Sequence, residues 1–63
     1  MKASKNTKLR HAAILSHLKQ SGRATVDELA EIFATTPQTI RKDLNFLSED
    51  GRVMRFHGGA SLL

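Results

Sequence analysis

The 63-residue sequence contains no cysteine, tryptophan or tyrosine and only one proline. Without cysteine, neither a disulfide framework nor a thiolate zinc site can supply stability. No apolar run approaches the roughly 18 residues that a membrane span needs, and no apolar segment follows the basic N-terminus as it would in a signal peptide. A chain this short closes one thin core, which excludes a self-sufficient enzyme with a deep pocket. We therefore expect a single cytoplasmic domain that is not an enzyme.

Charge is distributed unevenly along the chain. Ten Lys and Arg residues against six Asp and Glu residues give a net charge of +4. Residues 1–11 hold four basic side chains and no acid, whereas residues 26–34 hold three acids and no base. A segregated basic surface on a small domain favours a polyanionic partner, most often nucleic acid. Charge alone also fits a domain that is merely well solvated.

The first two helices are indicated by apolar spacing and capping residues. Residues 1–7 are polar and non-periodic, and we predict a flexible basic arm there. Apolar residues at helical spacing predict a first helix from Lys8 to the cap at Gly22. Residues 23–25 are interpreted as a connector. The Thr25–Glu28 segment fits a capping box at the start of a short second helix.

The third helix and the segment after it complete a recognisable order. Thr36 is a predicted N-cap, Pro37 suits the first helical position, and the helix is predicted over 37–49. The period then changes, and residues 52–63 are predicted to form a β-hairpin. The expected fold is mainly α with a small β-hairpin: a winged helix-turn-helix of three helices plus a wing, spanning residues 8–63.

The third helix is amphipathic, and its polar face has the chemistry of a DNA-reading surface. Ile40, Leu44 and Leu47 are predicted to point inward. Arg and Lys pair with guanine, Gln and Asn pair with adenine, and Thr offers a hydroxyl and a methyl group. These side chains cluster near the helix N-terminus, where a recognition helix contacts bases. An ordinary solvated face is the alternative. The candidate DNA-binding residues here are Thr36, Gln38, Thr39, Arg41, Lys42 and Asn45.

Two further features surround this helix. Asp43 lies at the edge of the buried stripe and could brace a neighbouring arginine, Arg55 or Arg10; an exposed charge of little energetic weight is the alternative. In the hairpin, Arg55 and His57 are both expected on the same side as Val53. Glycines at the hairpin tip permit positive φ and let backbone amides approach a phosphate, although most such pairs are only turns. The candidate wing residues are Arg55, His57, Gly58 and Gly59.

No constellation in the sequence indicates catalysis, a metal or a cofactor. The acids of the second helix are typical of a solvated first turn. His11 and His17 lie six residues apart, which does not place two imidazoles on one helical face. We therefore predict no enzymatic activity, no metal site and no cofactor.

Two motifs resemble those of a known family. The run Thr36-Pro37-Gln38-Thr39-Ile40-Arg41-Lys42-Asp43-Leu44 and the later run Arg55-Phe56-His57-Gly58-Gly59-Ala60 are similar to the DeoR family of bacterial sugar-catabolism repressors. The likeness covers roughly residues 10–61, and the Pro-Gln-Thr-Ile-Arg segment most resembles the glycerol-3-phosphate regulon repressors within that family. Two positions depart from the family pattern: Lys42 stands where Arg is usual, and Thr35 where Val is usual. Lysine lacks the bidentate geometry of arginine, which disfavours guanine reading at position 42.

The resemblance implies a function and a set of partners. It implies a sequence-specific DNA-binding domain of a repressor of sugar or sugar-phosphate catabolism genes. Helix 37–49 would read the major groove of operator DNA, and the wing would contact phosphate or the minor groove. A larger C-terminal domain outside these 63 residues would sense a sugar phosphate. We expect this chain to be monomeric, and the full-length protein to be a homo-oligomer that acts at nucleoid DNA.

Two other functions remain open on the sequence. In a protein-interaction winged helix, the third helix would meet a protein rather than a groove, which an acidic or apolar exposed face would favour. An RNA-binding winged helix would depend on aromatic stacking, and only three phenylalanines are present.

Overall fold

The computed structural model describes the backbone of residues 2–63 and the side chains of residues 7–63. Three helices and three short strands follow in the order α1, β1, α2, α3, β2, β3, and the strands form one antiparallel sheet in the order β1-β3-β2. The domain is a winged helix-turn-helix, as the sequence predicts. The elements are α1 Lys2–Ser21, β1 Arg23–Thr25, α2 Val26–Ile32, α3 Pro37–Glu49, β2 Val53–Phe56 and β3 Gly59–Leu62.

Helix α1 begins earlier than expected. The sequence predicts a helix from Lys8 preceded by an arm over 1–7, but the structure continues the helix back to Lys2. The segment contains no Gly or Pro and several good helix formers, so nothing in it ends the helix. The side chains of residues 1–6 lie outside the described residues. The helix ends as predicted: Gly22 adopts φ +87°, and its N–H donates to the Leu18 carbonyl at 2.7 Å.

The segment Arg23–Thr25, expected to be a connector, is the strand β1. It pairs with β3, so that Ala24 faces Ala60 and both side chains are buried. Three residues with one inward side chain carry little periodic signal, and the partner strand lies at the far end of the chain. The sheet therefore has three strands instead of the predicted two, and β3 lies at its centre.

The predicted caps of α2 and α3 are present. The Thr25 hydroxyl accepts from the Glu28 N–H at 3.1 Å, and the Glu28 carboxylate accepts from the Thr25 N–H at 2.9 Å. At α3, the Thr36 hydroxyl accepts from the Thr39 N–H at 3.2 Å, and Pro37 occupies the first helical position. These side chains satisfy backbone donors that a helix start otherwise leaves unpaired.

The turn between α2 and α3 is tight and contains a non-glycine residue with a positive φ. The Thr35 N–H donates to the Ala30 carbonyl at 2.9 Å, and the Ala34 N–H donates to the Glu31 carbonyl at 3.3 Å. This is the Schellman pattern, which places the residue after the cap in the left-handed region. That residue is Ala34, at φ +52°. The turn therefore fixes the angle between α2 and α3 at a small conformational cost.

Every helix and strand contributes at least one buried apolar side chain to one small core. The largest fully buried side chains come from all three helices. The prediction that Ile40, Leu44 and Leu47 of α3 point inward is confirmed, whereas the apolar Leu9 of α1 is 64% exposed. No helix in the described residues is long and apolar enough to cross a membrane. The fully buried large side chains are Ile14, Leu18, Leu29, Ile40 and Leu44.

Candidate nucleic-acid interface

The exposed face of α3 carries three side chains with free hydrogen-bonding groups. Gln38, Arg41 and Lys42 are exposed, and none forms a hydrogen bond or ion pair with another described residue. They lie in the first half of the helix, and the inward side chains Ile40 and Leu44 hold this face towards solvent. Two cations and an amide are therefore available to an external partner on one surface.

The two threonines predicted beside them are already engaged. The Thr36 hydroxyl caps α3 and also donates to the Thr39 hydroxyl at 3.0 Å. Thr39 is half-buried. The primary role of this pair in the structure is to begin the helix, since the cap satisfies a backbone donor.

Asn45 and Arg55, both predicted to bind DNA, contact each other. An Arg55 Nη1–H group donates to Asn45 Oδ1, and Arg55 Nε–H donates to the Gly59 carbonyl at 3.3 Å. Arg55 is half-buried on the same side of β2 as the buried Val53, as expected. The contact ties the middle of α3 to the wing. A helical wheel cannot show it, because it predicts a face and not a partner.

The wing turn is formed by His57 and Gly58, which are both exposed. Gly58 adopts φ +82°, and its carbonyl accepts from the Val26 N–H at 2.7 Å. The turn is thereby anchored to the start of α2. His57 lies in this turn and not in the strand beside Arg55.

Gly59 has a different role from the predicted one. It has no positive φ and is buried in β3. A Cβ atom there would meet the Ala24 carbonyl oxygen and, at 2.8 Å, the Phe56 ring. The prediction that both glycines form the tip is therefore wrong for Gly59, which permits the close approach of β1 and the Phe56 ring to the central strand.

Asp43 joins α3 to α1 and is almost completely buried. Its side chain is 5% exposed, and its two oxygens accept from Arg10 Nε–H and, at 3.1 Å, from Arg10 Nη2–H. His11 Nε2 lies 3.0 Å from Asp43 Oδ1. The hydrogen bond to Asp43 raises the pKa of the Arg10 guanidinium above its ordinary value. The predicted brace is confirmed with Arg10 as the partner of Asp43. Arg55, the other candidate partner, bonds to Asn45 and Gly59 instead.

An aromatic contact completes this cluster, which we call the α1–α3 clamp: Arg10, His11, Asp43 and Phe46. The His11 and Phe46 rings are stacked with centroids 5.0 Å apart and an interplanar angle of 23°. The sequence pattern predicts no contact for His11 or Phe46. Their partners lie more than thirty residues away in the chain, so local periodicity carries no signal for the contact.

A shallow groove opens beside the clamp, between α1 and α3. Lys8 and Lys42 lie along it, and Asp43, the acid among the described residues that line it, is paired with Arg10. The basic edge of α1, formed by Lys8 and Arg10, therefore lies beside Lys42, one of the exposed cations of α3. The groove is lined by Thr7, Lys8, Arg10, His11, Thr39, Lys42, Asp43 and Phe46.

Comparison with curated proteins finds repressors of similar sequence. The chain is 49% identical over 53 residues to the glycerol-3-phosphate regulon repressor of Escherichia coli (strain K12). The aligned segment covers 84% of this chain and 21% of that protein. It is 44% identical over 52 residues to the putative galactitol utilization operon repressor of the same strain, covering 82% and 46% of the two chains. The lactose phosphotransferase system repressor of Lactococcus lactis subsp. lactis is 41% identical over 58 residues, covering 92% and 23%.

These relatives are longer proteins, and the chain spans about a fifth of the length of the first of them. No solved structure matches. The family model for the DeoR-like helix-turn-helix domain matches residues 10–63, which includes α2, α3 and the complete wing. The chain belongs to the DeoR-like helix-turn-helix family.

Proposed function

We propose that this domain binds operator DNA as a duplex, with α3 in the major groove and the wing against the backbone. It would be the DNA-binding part of a longer transcriptional repressor of sugar or sugar-phosphate catabolism genes. The support for the gene class is the similarity to proteins named as repressors of a glycerol-3-phosphate regulon, a galactitol utilization operon and a lactose phosphotransferase system.

The observation that carries the proposal is the free face of α3. Gln38, Arg41 and Lys42 project together and have no internal partner among the described residues. Arginine and lysine pair with the guanine edge, and glutamine pairs with the adenine edge, so the face matches the donors and acceptors of the major groove. A protein-interaction surface gains most from apolar or aromatic anchors, and the first half of α3 exposes no large hydrophobic side chain. The exposed Phe46 follows in the second half of α3, where it is stacked on His11.

Electrostatics supplies the sequence-independent part of binding. The basic edge of α1, the cations of α3 and the wing would together neutralise on the order of five phosphates, which gives a log–log salt slope near −4 to −5. Base pairs are then distinguished by the smaller set of side chains on α3.

The remaining partners belong to the longer protein. A sugar-phosphate effector would bind outside these 63 residues, and dimerisation there would place two domains on successive half-sites. We expect the isolated domain to be monomeric and to bind DNA weakly. We expect the longer protein to act in the cytoplasm of a bacterium, at nucleoid DNA.

The test is selection of bound sequences from a random duplex pool by the 63-residue chain at low salt. We expect enrichment of a short, defined sequence. The affinity for the enriched duplex and for a scrambled duplex of the same composition is then measured across a salt series. A pool with no enriched sequence, or a flat salt titration, would contradict the proposal.

A further inference from the structure

The contact between Asn45 and Arg55 gives these residues different roles from direct base reading. The Arg55 guanidinium carries five N–H donors. One, on Nε, donates to the Gly59 carbonyl, and one, on Nη1, donates to Asn45 Oδ1. The remaining donors, on Nη1 and Nη2, have no partner among the described residues and are held in one orientation by the two that do.

The partners that hold Arg55 are both uncharged. An amide oxygen and a backbone carbonyl fix the guanidinium without cancelling its positive charge. A carboxylate at position 45 would form an ion pair instead and reduce the attraction for an anion. A half-buried arginine with a fixed orientation, an intact charge and unused donors is suited to bind a phosphate oxygen with little loss of side-chain entropy.

We propose that Arg55 is a preorganised site for a backbone phosphodiester of the bound duplex, and that Asn45 is the residue that positions it. This inference rests on the proposed function. It removes Asn45 from the set that distinguishes bases, because bidentate pairing with adenine needs both the amide oxygen and the amide nitrogen. The contact with Arg55 orients the amide oxygen towards the wing instead.

The two roles of Asn45 predict different results for Asn45→Asp. Aspartate still accepts a hydrogen bond from Arg55 but neutralises its charge. If Asn45 is a positioning residue, the Asn45→Asp chain therefore loses affinity equally for every duplex. A base-reading residue changes its preferred base instead, because a carboxylate accepts from the cytosine amino group and cannot donate to adenine.

The experiment measures the affinity of the 63-residue chain for the enriched duplex and for its scrambled counterpart, in four variants. We expect Asn45→Ala to weaken binding to both duplexes about threefold. Asn45→Asp and Arg55→Ala should each weaken binding to both duplexes about tenfold and reduce the magnitude of the salt slope by about 0.9. In the Arg55→Ala background, Asn45→Ala should have no further effect, since the residue it positions is absent.

A matched control and a stability measurement separate these effects from misfolding. Gln20→Ala changes an exposed residue near the end of α1 and should alter neither affinity nor the urea midpoint. Asn45 is exposed, so its variants should unfold near the wild-type midpoint.

Each outcome decides one proposal. If the wild-type chain enriches no sequence, the proposed function fails. If it does enrich one and Asn45→Asp changes the preferred base, or if the losses of Asn45→Ala and Arg55→Ala multiply in the double variant, the proposed function stands and the positioning role is overturned.

Discussion

Replacing Asp43 with asparagine tests whether the α1–α3 clamp stabilises the fold. Asparagine keeps the size of the side chain and one acceptor oxygen. It removes the charge and turns an amide nitrogen towards the donors of Arg10, which approaches both Asp43 oxygens. The substitution therefore leaves a partly buried guanidinium without its counter-charge.

The expected magnitude follows from burial. A hydrogen bond between charged groups contributes about 1.5–3 kcal/mol. The Arg10 side chain is 22% exposed, so water recovers part of the loss, and we expect Asp43→Asn to cost about 2 kcal/mol. A domain of this length has a stability of roughly 3–9 kcal/mol. The melting temperature should accordingly fall by about 8–16 °C.

The assay is urea denaturation followed by circular dichroism, with Asp50→Asn as the matched control. Asp50 Oδ2 accepts from Arg52 Nε–H at 2.7 Å, but the two side chains are 52% and 59% exposed. Exposed pairs contribute little, so this control should lose under about 0.5 kcal/mol. A double-mutant cycle with Arg10→Ala should give a coupling of at least about 1 kcal/mol. Equal losses for Asp43→Asn and Asp50→Asn would refute the reasoning from burial.

Four further substitutions test the backbone turns and the close packing at Gly59. Ala34→Gly should raise the free energy of unfolding by about 0.5–1 kcal/mol, because Ala34 adopts φ +52°. Gly51 occupies the corresponding position after α3 at φ +75°, so Gly51→Ala should lower the free energy of unfolding by about 1 kcal/mol. A destabilised Ala34→Gly variant in the same urea titration would show that the turn is not strained. Gly59→Ala should cost about 2–3 kcal/mol because its Cβ would overlap Phe56 and the β1 backbone. Gly58→Ala, which meets no atom within 4 Å, should cost only about 1 kcal/mol of backbone strain, and an equal loss for the two glycines would contradict the packing role of Gly59.

Elements with local signals could be predicted from the sequence. The caps at Thr25 and Thr36 and the proline at the start of α3 give the helix starts directly, because a side-chain oxygen or a fixed φ acts within one turn. The bounds of α3 were predicted as 37–49, which the structure confirms. The wing hairpin was also predicted, from the change of period after α3.

Features that depend on distant contacts could not be predicted. Strand β1 forms because it pairs with β3, and a pattern of three residues cannot predict a pairing partner so far along the chain. The brace at Asp43 was predicted, but the choice between Arg10 and Arg55 needed the packing of α1 against α3. The wheel placed Asn45 correctly on the exposed face, yet its contact with Arg55 comes from the approach of the wing. Burial of Gly59 follows from the same packing.

The central claim is that α3 reads base pairs, and the sequence preference of Arg41→Ala tests it most directly. Arg41 is exposed and unpartnered among the described residues, and Lys8, on the basic edge of α1, is the matched control. We expect Arg41→Ala to lose about 1–3 kcal/mol on the enriched duplex and to relax the preference at one base pair. Lys8→Ala should weaken every duplex by a similar small amount. A folded Arg41→Ala domain that still fully distinguishes the enriched duplex from the scrambled one would contradict the account.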